Sequence, residues 1–329
     1  MSGATAPGGT SGRRPVDRAG RWVDRAFRSE AVLVFLFLYV PIALVVLFAF
    51  TAGDSTGELR GLSTRWFNYA LNDRFAMAAL RNSVIVGAWT AILATTLGTM
   101  AALGLQRASR GVQAVFYAIT YVAIIVPGIV IGIATLIFFV NLFGWINPWF
   151  GYIWTAAGAG AAPRIGTGLH TVVGAHVLFT MAIVMIIVRA RLEGMDRNLT
   201  EASYDLFAPP LRTFRQVTLP QLWPAIITGG LLAFTFSFDD YVIASFVSGP
   251  GQPTLPMYVF SSIRRGITPE INAIATMVLA ITVTALVIVG LAYRRQLRQS
   301  RTADVAGDAD DASVGLVPDA DAPSGAAAE

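Results

Sequence analysis

Cysteine and lysine are both absent from the 329 residues, and only two histidines occur, His170 and His176. Without cysteine there is no disulfide and no thiolate metal site, and the redox compartment cannot be read from thiols. Without lysine the chain cannot carry a G-x-x-x-x-G-K-[ST] loop, whose lysine must reach the β- and γ-phosphates, nor a lysine Schiff base. His170 lies at a helix mouth, and His176 further inside reads as a satisfied interior histidine with no evident metal partner. No serine or acid constellation has hydrolase spacing, so the expectation is no catalytic residue and no metal on this chain. Charge is scarce as well: 13% of residues are charged against 55% hydrophobic, and the mean hydropathy is +0.61. That balance is far from a water-soluble domain and reads as an integral membrane protein.

Six apolar runs are long enough to cross a bilayer, at Glu30–Phe50, Asn82–Leu105, Val112–Phe143, Leu169–Val188, Trp223–Val247 and Ile271–Tyr293. About 20 residues at a helical rise span the hydrocarbon core, and these runs are apolar on every side, which excludes the in/out alternation of barrel strands. The expected fold class is an all-α membrane protein with six transmembrane helices. The first run begins after 29 residues and has no small-residue cleavage site, so it reads as a retained helix.

All 24 basic residues are arginine. Seventeen lie before the first run, in the second and fourth loops or after the sixth run, and seven lie in the remaining loops. The positive-inside rule then places both termini in the cytoplasm. A net charge of +4 is explained by these flanking arginines and their contacts with membrane lipids, and calls for no nucleic acid.

The organisation reads as a basic cytoplasmic segment 1–29 with a flexible start and a helical stretch from Asp17 to Arg28. A membrane domain 30–295 follows, then an acidic, disordered tail 296–329. In the third run Pro127 and Gly128 permit either a packing kink or a conformational hinge. The loop 189–222 is the longest on the cytoplasmic side. Asn198 and Glu201 have capping-box spacing, so a short helix is expected from about Leu199. Pro209 and Pro210 should end it and open a second, on which Leu211, Phe214 and Val217 recur on one face opposite Arg212 and Arg215. The pair of amphipathic helices suits either a lipid surface or a soluble partner anchored by a residue such as Phe214. Further on, Thr268 and Pro269 read as N-cap and first residue of the last helix. Arg264 and Arg265 beside them are either solvated or partner-facing.

At "EASYDLFAPPLRTFRQVTLP" this loop resembles the signature of permease subunits of binding-protein-dependent ABC importers: E-A-A, three residues, G, nine residues, I-x-L-P. Glu201, Ala202 and Ser203 stand for E-A-A, Phe207 for the usual glycine, and Val217, Leu219 and Pro220 for I-x-L-P. The resemblance implies a type I importer permease fold in a bacterial inner membrane. It also implies a coupling element, comprising these residues with Leu211 and Phe214, seated on a separate ATPase dimer. Further implied partners are a second homologous permease and an extracytoplasmic solute-binding protein; ATP and Mg would sit on the ATPase. From Trp66 to Arg295 the chain is also similar to the permeases of spermidine/putrescine importers.

The stretch "SFDDYVIASF" puts Asp239 and Asp240 inside an apolar run, about 12 Å from its outer end if helical. A charge at that depth costs on the order of 2.5–3.5 kcal/mol, so at least one carboxylate must face protein or water. Carboxylates flanked by Phe236, Phe238 and Tyr241 suit an alkylammonium ion, which gains charge attraction and cation–π contact together. That favours a cationic solute such as a polyamine; another small solute is the alternative. Structural pairing with an arginine, or acceptance of hydrogen bonds at a broken helix, is the other reading of the acids. An ion-coupled carrier and a non-transporting membrane scaffold are rivals, the first disfavoured by the loop and the second by the buried acids.

Overall fold

A computed structural model describes residues 18–55, 60–158, 160–266, 268–284 and 287. The flexible start, the acidic 296–329 tail and the end of the sixth run lie outside the described residues. Within them the regular structure is helical, with an isolated bridge between Thr51 and Leu62. Two compact units divide the chain, Met1–Phe67 with Asn272–Glu329, and Asn68–Ile271.

The first unit contains α1 (Arg18–Ala49), which joins the helical stretch and the first apolar run in one helix. From Ala31 onward it is apolar all round, with Leu33, Phe37 and their neighbours exposed, as a helix solvated by lipid must be. After α1 the chain folds back. Trp66 Nε1 donates to the Gly53 carbonyl at 3.2 Å, Arg65 pairs with Asp54, and the Phe50 and Phe67 rings lie 4.8 Å apart. These contacts set the start of α2 (Arg65–Asn72).

In the second unit α3 (Arg74–Gln106), α6 (Leu169–Glu193) and α9 (Leu219–Asp239) pack together. Their shared core joins Ala94, Ala102, Val184, Val188, Leu222 and Ala233. Small residues let the backbones approach where no hydrophobic drive separates helix from lipid. Gly98 is one instance: a Cβ there would lie 2.9 Å from the Met181 carbonyl and from Val184. A second cluster seats α10 (Val242–Val247) against α6 and α5 (Gly128–Ala156), through Ile243, Ala244 and Val247 on Ile131, Val172 and Ala175. α4 (Arg110–Ile125) packs on α6, and α11 (Leu255–Arg265) on α3.

Four expectations are corrected. The third apolar run is two helices: Val126 is extended (φ −62°, ψ 130°), because a residue before proline is driven from the helical region, and Pro127 caps α5. The fifth run also breaks, since α9 ends at Asp239 and Asp240 is extended (φ −72°, ψ 123°). In the loop, Asp196 replaces the expected capping box, accepting from the Asn198 N–H at 2.9 Å ahead of α7 (Arg197–Asp205). The proline-initiated helix α8 (Pro210–Thr213) is not free-standing, for a π-helical turn, Phe214–Thr218, carries it into α9.

Among the described residues five helices are long and apolar enough to cross a membrane: α1 from Phe27, α3, α5, α6 and the continuous Pro210–Asp239. α4 is apolar but shorter, as is the described part of α12 (Pro269–Thr284). α12 starts where expected, with the Ile271 N–H donating to the Thr268 carbonyl at 3.1 Å.

Candidate functional site

The break between α9 and α10 lies within the fifth apolar run and separates the two acids. One oxygen of Asp240, Oδ2, accepts from the Ala244 N–H at 2.9 Å and lies 3.2 Å from His176 Nε2 on α6. The other ring nitrogen of His176, Nδ1, is 2.7 Å from Ser237 Oγ on α9. The imidazole is 2% exposed, so burial and both partners fix its plane. Sequence reading placed His176 in the interior but missed its bond to Asp240, because the two are 64 positions apart and only the break brings them together. The far end of α10 is held too, Thr171 Oγ1 donating to the Val247 carbonyl at 2.6 Å.

Asp239 differs: its side chain is exposed at the last residue of α9, and among the described residues it makes no hydrogen bond or ion pair. A helix C-terminus carries partial negative charge, and its last carbonyls lack intrahelical donors. A carboxylate there adds to a negative field, so the end of α9 favours a cation. The aromatics are mostly engaged with one another. Tyr241 stacks on Phe260 at 4.1 Å, Phe238 on Phe234 at 5.7 Å, and Phe236 meets Phe179 edge-on at 5.9 Å.

At the cytoplasmic-signature loop, Glu201 and Ala202 are exposed on α7. Ser203, standing where the motif has alanine, places its hydroxyl 2.9 Å from Thr213 Oγ1 and so ties α7 to α8. Phe207 occupies the glycine position with a left-handed φ of 58°, and its ring is 96% exposed. Leu206 (82%) and Leu211 (78%) flank it, giving an apolar tip; Leu206 was not singled out by the sequence. Phe214 and Val217 are half-buried, and Phe214 lines a cavity of about 1060 Å³ instead of the outer surface. Arg107, Arg189 and Glu201 share that cavity. Leu219 is half-buried and Pro220 exposed where α9 begins, and the Arg191 side chain donates to the Gln221 carbonyl at 2.9 Å, joining α6 to α9.

A third polar cluster sits at the other end of α3. Tyr258 donates to Asp73 Oδ2 at 2.5 Å, and Asp73 caps α3 through the Phe75 N–H at 2.8 Å. Burial alone would raise the Asp73 carboxyl, but hydrogen bonds from Tyr258, Phe75, Ala76 and Glu270 together hold it below its ordinary value. Glu270, just ahead of the sixth run, is pushed up, by burial first and then by the charge of Asp73 and their hydrogen bond. Tyr258 is raised by burial and then by its bond to Asp73. Ser83 and Asn82 hold α11 nearby through Leu255 N and the Pro253 carbonyl.

Among the described residues no group of histidine and acidic side chains has the arrangement of a metal site. A long-helix bundle with a signature loop at one end and a broken, acid-bearing helix inside defines a transport permease. Residues 94–301 match the family of binding-protein-dependent transport system inner membrane components. The chain is 42% identical over 250 residues to the putrescine transport system permease protein PotI of Escherichia coli K12, covering 75% of this chain and 83% of that one. With the spermidine/putrescine transport system permease protein PotC of Haemophilus influenzae it shares 31% identity over 276 residues, 83% and 99% of the two chains. In structure it resembles a chain of a bacterial ABC transporter involved in importing the acidic polysaccharide alginate, with a TM-score of 0.64 and 15% identity over 84% of this chain and 96% of that one. The chain belongs to the binding-protein-dependent inner-membrane permease family, and is the permease subunit of an ABC importer.

Proposed function

We propose that this permease carries a small organic cation, a polyamine of the putrescine/spermidine class, and that Asp239 meets it. The observation that carries the reading is the helix break in the fifth run, which leaves an unpartnered carboxylate on the negative end of α9. Asp240, Phe236, Phe238 and Tyr241 line the same stretch. The 42% identity to a permease named for putrescine supports the substrate class.

The chain makes and breaks no covalent bond. ATP and Mg bind on an ATPase dimer, which docks on the element from Glu201 to Pro220, with Leu206, Phe207 and Leu211 as its exposed apolar contacts. Closure of the ATPases pushes on this element. Its load passes through the Ser203–Thr213 contact and the continuous Pro210–Asp239 helix, so that movement at the loop reaches the acid-bearing break. Pro127 and Gly128, at the break between α4 and α5, act as the hinge. A second permease completes the path, and an extracytoplasmic binding protein delivers the solute.

Six crossings fit the helices. α4 alone is about 24 Å long, short of the core, so α4 and the first part of α5 count as one span. The exposed Trp145, Trp149 and Tyr152 at the far end of α5 then form an interfacial aromatic belt. With α12 as the sixth span, both termini are cytoplasmic.

The test is uptake of labelled putrescine and spermidine by proteoliposomes holding the complete complex, with ATP and loaded binding protein supplied. ATP-dependent accumulation of either amine is the expected result. ATP hydrolysis stimulated by loaded binding protein without accumulation would sink the substrate assignment.

A further inference from the structure

We infer that His176 and Ser237 form a positioning pair that commits Asp240 to the helix break, leaving Asp239 as the one carboxylate of the two available to a translocated cation. The inference rests on the cation-path reading above. An ionised carboxylate can only accept hydrogen bonds, so the 3.2 Å contact requires His176 to carry its proton on Nε2. In the neutral imidazole Nδ1 is then a bare lone pair, and Ser237 Oγ–H donates to it at 2.7 Å. The proton order is therefore set along the whole chain, from Ser237 to His176 to Asp240.

Each member is held by the fold. Ser237 and His176 are both buried, on the facing sides of α9 and α6. Asp240 gains a second donor from Ala244, which lies in the first turn of α10 and would otherwise lack a partner. The Thr171–Val247 bond fixes the other end of α10 on the same helix α6. The lock thus sets where α9 stops and α10 starts, and with that where Asp239 points. Asp239 itself, one residue earlier, has neither donor nor cation among the described residues. Two adjacent acids in an apolar run would be redundant as cation ligands and mutually repulsive. Assigning one to the backbone break and one to the solute removes the redundancy.

Two measurements test this, one independent of the solute. The protein has only two histidines, so with this chain alone ¹⁵N-histidine-labelled and His170→Gln, NMR of the lipid-embedded complex reports His176 alone. The expected result is the neutral Nε2–H tautomer, whose Nε2 resonance moves in Asp240→Leu and stays in Asp239→Leu. A proton on Nδ1, or a resonance indifferent to Asp240→Leu, overturns the lock. The second readout is amine taken up per ATP hydrolysed, a ratio that the amount of folded complex does not alter. Loss of one charge-assisted contact should lower it about tenfold in Asp239→Asn. Asp240→Asn, whose Oδ1 still accepts from both donors, should lose less. His176→Leu should fall with Asp239→Asn, while His176→Gln, which offers a donor and an acceptor at similar reach, restores the ratio. Equal losses in the two Asn variants, or no rescue by glutamine, overturn the division of roles. If the wild-type complex hydrolyses ATP but moves no polyamine, the substrate reading fails and the NMR arm alone decides the lock.

Discussion

Phe207 holds a backbone conformation that glycine adopts freely and that costs a side-chain-bearing residue about 1–2 kcal/mol. Two hydrogen bonds, from its own N–H to the Tyr204 carbonyl at 2.8 Å and from Ala208 to the Ser203 carbonyl at 3.1 Å, close the turn and fix that conformation. The strain persists at a position where the ring is wholly exposed, so the ring contributes nothing to the stability of the free chain. Phe207→Gly is therefore expected to stabilise the free permease by about 1 kcal/mol. It should also weaken ATPase docking, because an exposed aromatic anchor is lost. Thermal melting of the isolated chain and co-purification with the ATPase read the two effects separately. Phe207→Ala keeps the strained φ and removes the ring, so it should lose docking without gaining stability. Equal docking by all three proteins would remove Phe207 from the interface. The motif spacing made this position legible in the sequence, but not Leu206 beside it, since exposure at the tip depends on the left-handed turn itself.

The helix breaks show where sequence pattern stops being informative. Apolar composition marks the runs, because lipid demands it over their whole length. It cannot mark Val126–Pro127 or Asp240 as interruptions, since the chain stays equally apolar on both sides. The proline gave a local signal for the first break. The second is held by a tertiary partner, His176, that no window around Asp240 contains. The corner of α3, α11 and α12 is a further case, for the Asp73–Tyr258 bond spans 185 positions. Its pH dependence can be worked out from the directions of the shifts. Asp73 is lowered, so its contribution is present above the ordinary carboxylate range and is lost as pH falls through its folded value. Glu270 is raised, so it favours the fold while protonated and loses that contribution as pH rises above the ordinary carboxylate range and through its folded value. The wild-type chain should therefore be most stable in weak acid. Glu270→Gln keeps a donor toward Asp73 without a titrating proton, and should melt higher than wild type at neutral pH, with the gain vanishing in acid. Melting curves across the range check this, and a gain independent of pH would show that the Asp73–Glu270 coupling is not its source.

At the scale of the whole molecule the question is where the energy enters. On the proposed six crossings, the loop 189–222 and both termini lie on one side. Tags at either end should then be shielded from an extracellular protease in intact cells. The absence of lysine removes a P-loop from the chain, which leaves a partner ATPase or an ion gradient as the source. A histidine–aspartate pair inside a membrane protein is the usual substance of a proton relay, so His176 and Asp240 give the gradient a real claim. Their surroundings argue against it. Beyond His176 the chain ends at Ser237, which is buried in the α9 contact and does not titrate. A relay needs a titratable group on each side, and among the described residues this network has a dead end on the Ser237 side. With internal ATP held constant, uptake by proteoliposomes should therefore continue when a protonophore collapses the proton gradient. If uptake stops while ATP hydrolysis runs on, the gradient is a driving force. The His176–Asp240 contact would then be part of a proton path, not a fixed lock.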